Sequence, residues 1–236
     1  LAPAEGDVEL PLALTDAGRA AGWLAALPGW PAALNGAVQA GAGELSGRWR
    51  GGWRDHHATG RMEARARLPR LDLRTPGPVA AAWQLRDIEA QLDGSLAALS
   101  LSLQGEARQG SRQVRWSTRA HGGQQADRHW LGRLEDTTLQ LNDTDGLGTW
   151  SASVPAGVGI RWQPGVSTLA FGAGTAQLRG PGNQTATLAW EPARWTAAAG
   201  GHWQSRGQVS GVPLGWLGLG VRTAASWRGD LLLGGS

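Results

Sequence analysis

The chain has 236 residues, room for one or two domains with a sizeable core, and its 41% hydrophobic and 17% charged content excludes disorder driven by charge. Its formal net charge is only +3 and all 22 strong bases are Arg, so the pI near 11.0 reflects the lack of Lys, Tyr and Cys rather than a strongly basic surface. Zero Cys excludes a disulfide framework and thiolate metal ligands, and neither an apolar run of about 18 residues nor a signal-peptide pattern is present.

Val8, Leu10, Leu12 and Leu14 alternate with acidic and small residues, which predicts a strand with one buried face. Thr15-Asp16 offers an N-cap, and Trp23, Leu24 and Leu27 stand at helical spacing before Pro28-Gly29, so a short helix is expected over about 15–27. From Leu34 the glycines are too dense for helix, since each costs about 1 kcal/mol relative to Ala. Met62, Ala64, Ala66 and Leu68 alternate with Arg61, Glu63, Arg65 and Arg67; Pro69 is expected to break that strand, after which Leu71 and Leu73 resume in the opposite phase. Short alternating runs then continue through Trp83, Leu85, Leu99, Leu101, Leu103, Val114, Trp116, Leu139 and Leu141. Beyond them come Trp150, Ile160, Trp162, Leu169, Phe171, Leu188, Trp190 and Val209, with Gly- and Pro-rich turns between. That cadence predicts an all-β chain of roughly fifteen strands. A second short helix is expected over about 212–219, where Gly211 to Leu217 faintly echoes the Leu10 to Leu27 segment. The beginning at Leu1 and the strand-like close, Asp230 to Leu233, read as cuts within a longer chain.

Candidate sites of ordinary chemistry are weak. Adjacent His56 and His57 would point to opposite faces of a strand, and no second ligand pair follows. Asp143-Thr144-Asp145-Gly146 resembles the middle of a calcium loop, but Leu141 stands where the first Asp belongs, so a hairpin turn is expected. Asp87 and Glu89 could mimic a glycosidase pair, yet nothing in the sequence marks either as a proton donor. No nucleophile elbow, Walker loop or zinc-protease motif occurs, and no enzyme, cofactor or metal is expected. Arg with Trp could suggest nucleic acid, but Arg falls on the polar phase and Trp on the apolar phase, so no nucleic-acid partner is expected.

What remains is the apolar phase. With at most two short helices to cover it, the sheet must cover itself: as a barrel, a sandwich or a curled trough. Many Trp for bulk and many Gly for space suit strong curvature.

Several stretches carry a resemblance. Leu45-Ser46-Gly47-Arg48-Trp49 after Leu34-Asn35-Gly36, Leu10-Pro11-Leu12 with its helix, and Ala189-Trp190-Glu191-Pro192-Ala193-Arg194-Trp195 are similar to TamB-like proteins. So are Gly207 through Leu217 and the closing Ala225 to Leu231. TamB-like proteins are the inner-membrane-anchored subunits of the translocation and assembly module of Gram-negative bacteria, within the wider AsmA-like superfamily. The resemblance implies an elongated, curled β-trough, a β-taco, of which residues 1–236 would be an interior piece. It implies a periplasmic location, phospholipid acyl chains as partners, and a role in intermembrane phospholipid transport and outer-membrane protein biogenesis. It also implies a link to TamA, a BamA-type outer-membrane barrel, through parts of the protein absent here. Leu99, Leu101, Leu103, Leu139, Leu141, Ile160, Trp162, Leu169, Phe171, Leu188 and Trp190 are the candidate lipid-groove residues, against ordinary β-core. Two rival readings stand beside this: a Trp-rich glycan-binding β-sandwich, and a scaffold whose open sheet edges hold nascent outer-membrane strands.

Overall fold

Alternation of apolar and polar residues, cut by Gly and Pro, becomes strand after strand in the computed structural model. The structure describes residues 6–24, 37–51, 60–74, 82–146, 148–163, 168–196, 202–213, 216 and 231–235. The strands in chain order begin with β1 (Asp7–Leu14), β2 (Val38–Arg50), β3 (Arg61–Arg74), β4 (Ala82–Ser95) and β5 (Ala98–Gln109). Next come β6 (Arg112–Gln124), β7 (Trp130–Asp143), β8 (Gly148–Val154), β9 (Val158–Gln163) and β10 (Thr168–Phe171). The last are β11 (Gly174–Arg179), β12 (Thr185–Trp190), β13 (Ala193–Thr196), β14 (His202–Ser210) and β15 (Leu231–Gly235). One helix, α1 (Ala17–Leu24), stands between β1 and β2. Among the described residues the fold is therefore all-β with one short α-helix, the all-β class being what the pattern predicts, and the strands form one hydrogen-bonded sheet of fifteen. The expected second helix lies mostly outside the described residues, as does the far end of the first.

α1 starts two residues later than the expected span. Asp16 caps it: the Arg19 N–H donates to Asp16 Oδ1 at 3.0 Å and the Ala20 N–H to the Asp16 carbonyl at 3.1 Å. Ala17, at its first turn, is buried.

The chain divides into two units: Leu1–Leu96 with Leu101–Trp116, and Ala97–Ser100 with Ser117–Ser236. In the first, β1, β2, β3 and β4 pair antiparallel in sequence order. Directly opposed residues share a face. Val8–Trp49–Met62 and Leu12–Leu45–Ala66–Ala90 are rows of one face. Glu9–Arg48–Glu63–Asp93 and Glu44–Arg67–Glu89 are rows of the other. Here a prediction fails: Pro69 does not break β3. Between β2 and β3 the register shifts across Ala42 and Glu44, because Leu68 and Pro69 together oppose Gly43. This is a β-bulge, a position that tolerates the missing N–H of Pro. The extra residue returns Leu71 and Leu73 to the face of Leu68, which explains their change of phase.

The second unit repeats this device several times. β7 pairs β8 through Thr137–Asp143 and β9 through Trp130–Leu134, with Asp136 at φ +47° between them. β11 pairs β8 while β10 pairs β9, with Gly172-Ala173 unpaired in the ladder between them. β12 pairs β11 while β13 pairs β10, with Glu191-Pro192 between. β14 runs unbroken beside both β13 and β12. Three long paths, β8–β9, β10–β11 and β12–β13, are thus interrupted at a common level, beside the bulge of β7. The apolar phase resumes after each: Leu134 then Thr137, Phe171 then Gly174, Trp190 then Ala193.

Candidate functional site

Within the second unit, register assembles one apolar face. Leu139 stands opposite Ala152, Ala152 opposite Leu178, and Leu178 opposite Ala186. Leu141 stands opposite Trp150, Leu188 opposite Ala176 and Val209, and Trp190 opposite Gly174 and Gly207. Beyond the interruptions the face continues as Ile160–Phe171 and Trp162–Leu169, joined to β7 through Gly132 and Trp130. Trp195 extends the second row from Leu169 to position 203 of β14, which alternates with position 207, the partner of Trp190.

Large residues mostly oppose small ones in this face. A Cβ on Gly174 would come within 2.4 Å of the Trp190 ring, whose Nε1–H donates to the Gly172 carbonyl at 3.1 Å. In the first unit a Cβ on Gly105 would lie 2.6 Å from the Trp116 ring. Glycine here is space for a neighbouring indole lying flat on the sheet. The residues this arrangement buries are small: Ala107, Val158, Ala176 and Ala186 are under 9% exposed, and among the described residues no large side chain is fully buried.

The large side chains stay open instead. Leu139 is 44% exposed and Trp162 43%. In the first unit Leu10 is 54% exposed and Leu12 49%, on the face that Leu45 and Trp49 share. A second layer pressed onto these faces would bring such residues below a tenth. Of the eleven sequence-predicted groove residues, the eight from Leu139 to Trp190 belong to strands whose register places them on the second unit's apolar face, while Leu99, Leu101 and Leu103 stand on β5. Leu101 and Leu103 fall in the first unit, opposite in phase to Gln104, which reaches Glu89 on the polar face at 2.8 Å. Leu99 and the other eight fall in the second. The same apolar faces also carry Val8, Leu10, Leu12 and Leu45, and Trp130, Trp150, Leu178 and Trp195, which sequence reasoning left out. Each alternates visibly, but only register puts it beside the others. Leu131, exposed on the opposite face across from Arg161, is apolar without belonging.

The polar face uses its charges on itself. Arg48 Nη2 lies 3.1 Å from Asp7 Oδ2, Arg61 Nη2 3.1 Å from Asp93 Oδ1, and Arg67 Nη2 2.7 Å from Glu89 Oε1. The Arg67 hydrogen bond holds the Glu89 carboxyl below its usual range, and the Arg48 hydrogen bond does the same to Asp7. Glu106 is the deeper case. Burial alone would raise its pKa, but Arg108 and Arg115 both donate to it and together bring it down to about 2.

The other candidates resolve simply. His56 and His57 lie outside the described residues. Asp143 to Gly146 forms the β7–β8 turn, with the Asp145 N–H donating to Asp143 Oδ1 at 3.1 Å. Asp87 sits at φ +50° opposite Pro69 in the β3–β4 register, and Glu89 is occupied by Arg67 and Gln104. Among the described residues no three His, Asp or Glu are grouped to hold a metal ion. No described helix is long and apolar enough to cross a membrane. Compared with protein-family models, with curated proteins and with solved structures, the chain finds no match.

Proposed function

We propose that this chain is a TamB-like, periplasmic, non-enzymatic β-surface. It shields lipid acyl chains from water, in support of intermembrane phospholipid transport and outer-membrane protein biogenesis. The observation that carries the reading is the uncovered apolar face in each unit, with Leu10, Leu12, Leu139 and Trp162 all open by more than two fifths. An acyl chain laid on such a face gains about 0.8 kcal/mol for each methylene removed from water. The face offers rows of Leu, Ala and indole with few polar anchors, and Thr118 and Thr137 within it satisfy each other at 2.7 Å. Over the aliphatic rows holding is therefore nearly uniform, which lets an acyl chain slide along them. Polar residues facing away, paired among themselves, suit an aqueous exterior.

Mass spectrometry of an organic extract of the purified protein tests this. Phospholipid is expected to co-purify with the native chain and to be lost with Leu101→Asp or Leu139→Asp. Leu139 is nearly half exposed, so the second substitution leaves the fold intact. A lipid-free native protein that binds oligosaccharide would overturn the reading in favour of sugar stacking on Trp.

A further inference from the structure

The apolar face of the second unit changes character toward one margin. Its inner row there is Gly132–Ile160–Phe171–Ala193. One step outward the same face carries Trp130–Trp162–Leu169–Trp195 in direct register over four adjacent strands. These are strand-end positions: Trp130 opens β7, Trp162 and Trp195 stand one residue from the ends of β9 and β13, and Leu169 is second in β10. Just outside them the strands finish on Gln163–Thr168–Thr196, a register row of uncharged hydrogen-bonding residues. The Trp130 and Trp162 rings lie 6.5 Å apart and are tilted 34° to one another. Trp162 is among the more open large side chains of the unit. Among the described residues no protein acceptor takes the indole N–H of Trp130 or Trp162, whereas that of the inner Trp190 is satisfied by the Gly172 carbonyl.

Aliphatic, then indole, then neutral polar is the profile of a water–hydrocarbon boundary. Indole favours that boundary because its ring is apolar and its N–H needs an acceptor. We propose that this Trp margin holds the glycerol and ester region of a bound phospholipid, with ester carbonyls accepting from the indole N–H groups. The acyl chains then lie inward over Ile160, Phe171 and the Leu rows, and the headgroup stays in water beyond the strand ends. This rests on the lipid-shielding reading and adds an orientation to it. A phospholipid bound here has one way round, and free alkanes, lacking esters, gain nothing from the margin.

Quenching of Trp fluorescence by brominated phospholipids tests it on the full chain. Lipids carrying bromine near the ester end, or near the methyl end, of their acyl chains are compared. Replacing Trp130, Trp162 and Trp195 together by Phe keeps the apolar ring volume and removes the margin indoles. The expected result is that this variant loses most of the ester-end quenching and keeps the methyl-end quenching. Trp190→Phe is expected to do the reverse. Ester-end quenching that survives the triple replacement, or methyl-end quenching that vanishes with it, would overturn the orientation while leaving lipid binding in place. Failure of either lipid to quench the native chain would overturn the shielding reading itself.

Discussion

Glu106 shows what a single charge costs in a thin sheet. It is 7% exposed as a residue, among the few polar residues buried that far. Its carboxylate keeps its charge because Arg108 and Arg115 both donate to it, Arg115 at 3.0 Å. A folded-state pKa of about 2, below the ordinary carboxylate value, means the stabilisation is fully present above that ordinary value and fades as pH falls toward 2. Urea-unfolding midpoints measured at neutral pH and near pH 3 should therefore differ, with the acid sample weaker. Glu106→Gln should lower the neutral-pH stability by about 1.5–3 kcal/mol, since two charge-assisted hydrogen bonds are weakened. It should also flatten the acid dependence. An unchanged pH profile in that variant would remove Glu106 as its source. The pairing was not legible in the sequence, because Arg115 lies on a neighbouring strand. The use of Gly as space for Trp was legible in composition, but which Gly serves which Trp was not.

At the scale of elements, alternation located the strands and hid their continuity. Pro69 reads as a stop because it lacks an N–H, yet β3 passes through it in a bulge. Nothing in a lone Asp announces that Asp87 and Asp136 take positive φ, although Asp bears it better than most residues. Each extra residue keeps the greasy side on its face after a step that would otherwise invert it. Deleting Asp136 makes the point measurable: residues 137–143 of β7 would turn over, moving Leu139 and Leu141 to the charged face. The loss of two partly buried leucines from their neighbours should cost about 3 kcal/mol in urea unfolding. Deleting Thr144 from the following turn should cost less than half as much, because the turn absorbs it without changing the face. Equal costs would mean that Asp136 does not set the phase.

For the whole molecule, the all-β class was legible because its signals are local: period two, turn residues, and the shortage of helical spacing. The apolar phase of each strand was legible for the same reason. The assembly of these phases into rows was not, because β11 joins β8 across an intervening pair and β13 returns beside β10. The interruptions near Asp136, Pro155 to Gly157 and Gly172-Ala173 also bear on motion. Ladder hydrogen bonds hold amides against solvent, and a gap in one strand beside a gap in the next leaves no intact rung between them. Deuterium should therefore enter Ala156, Gly157 and Ala173 well before the flanking Ala152, Ile160 and Ala176. The fast amides would trace a transverse seam through segments far apart in the chain, along which the second unit could flex like cloth along a stitched fold while the rows on either side stay flat.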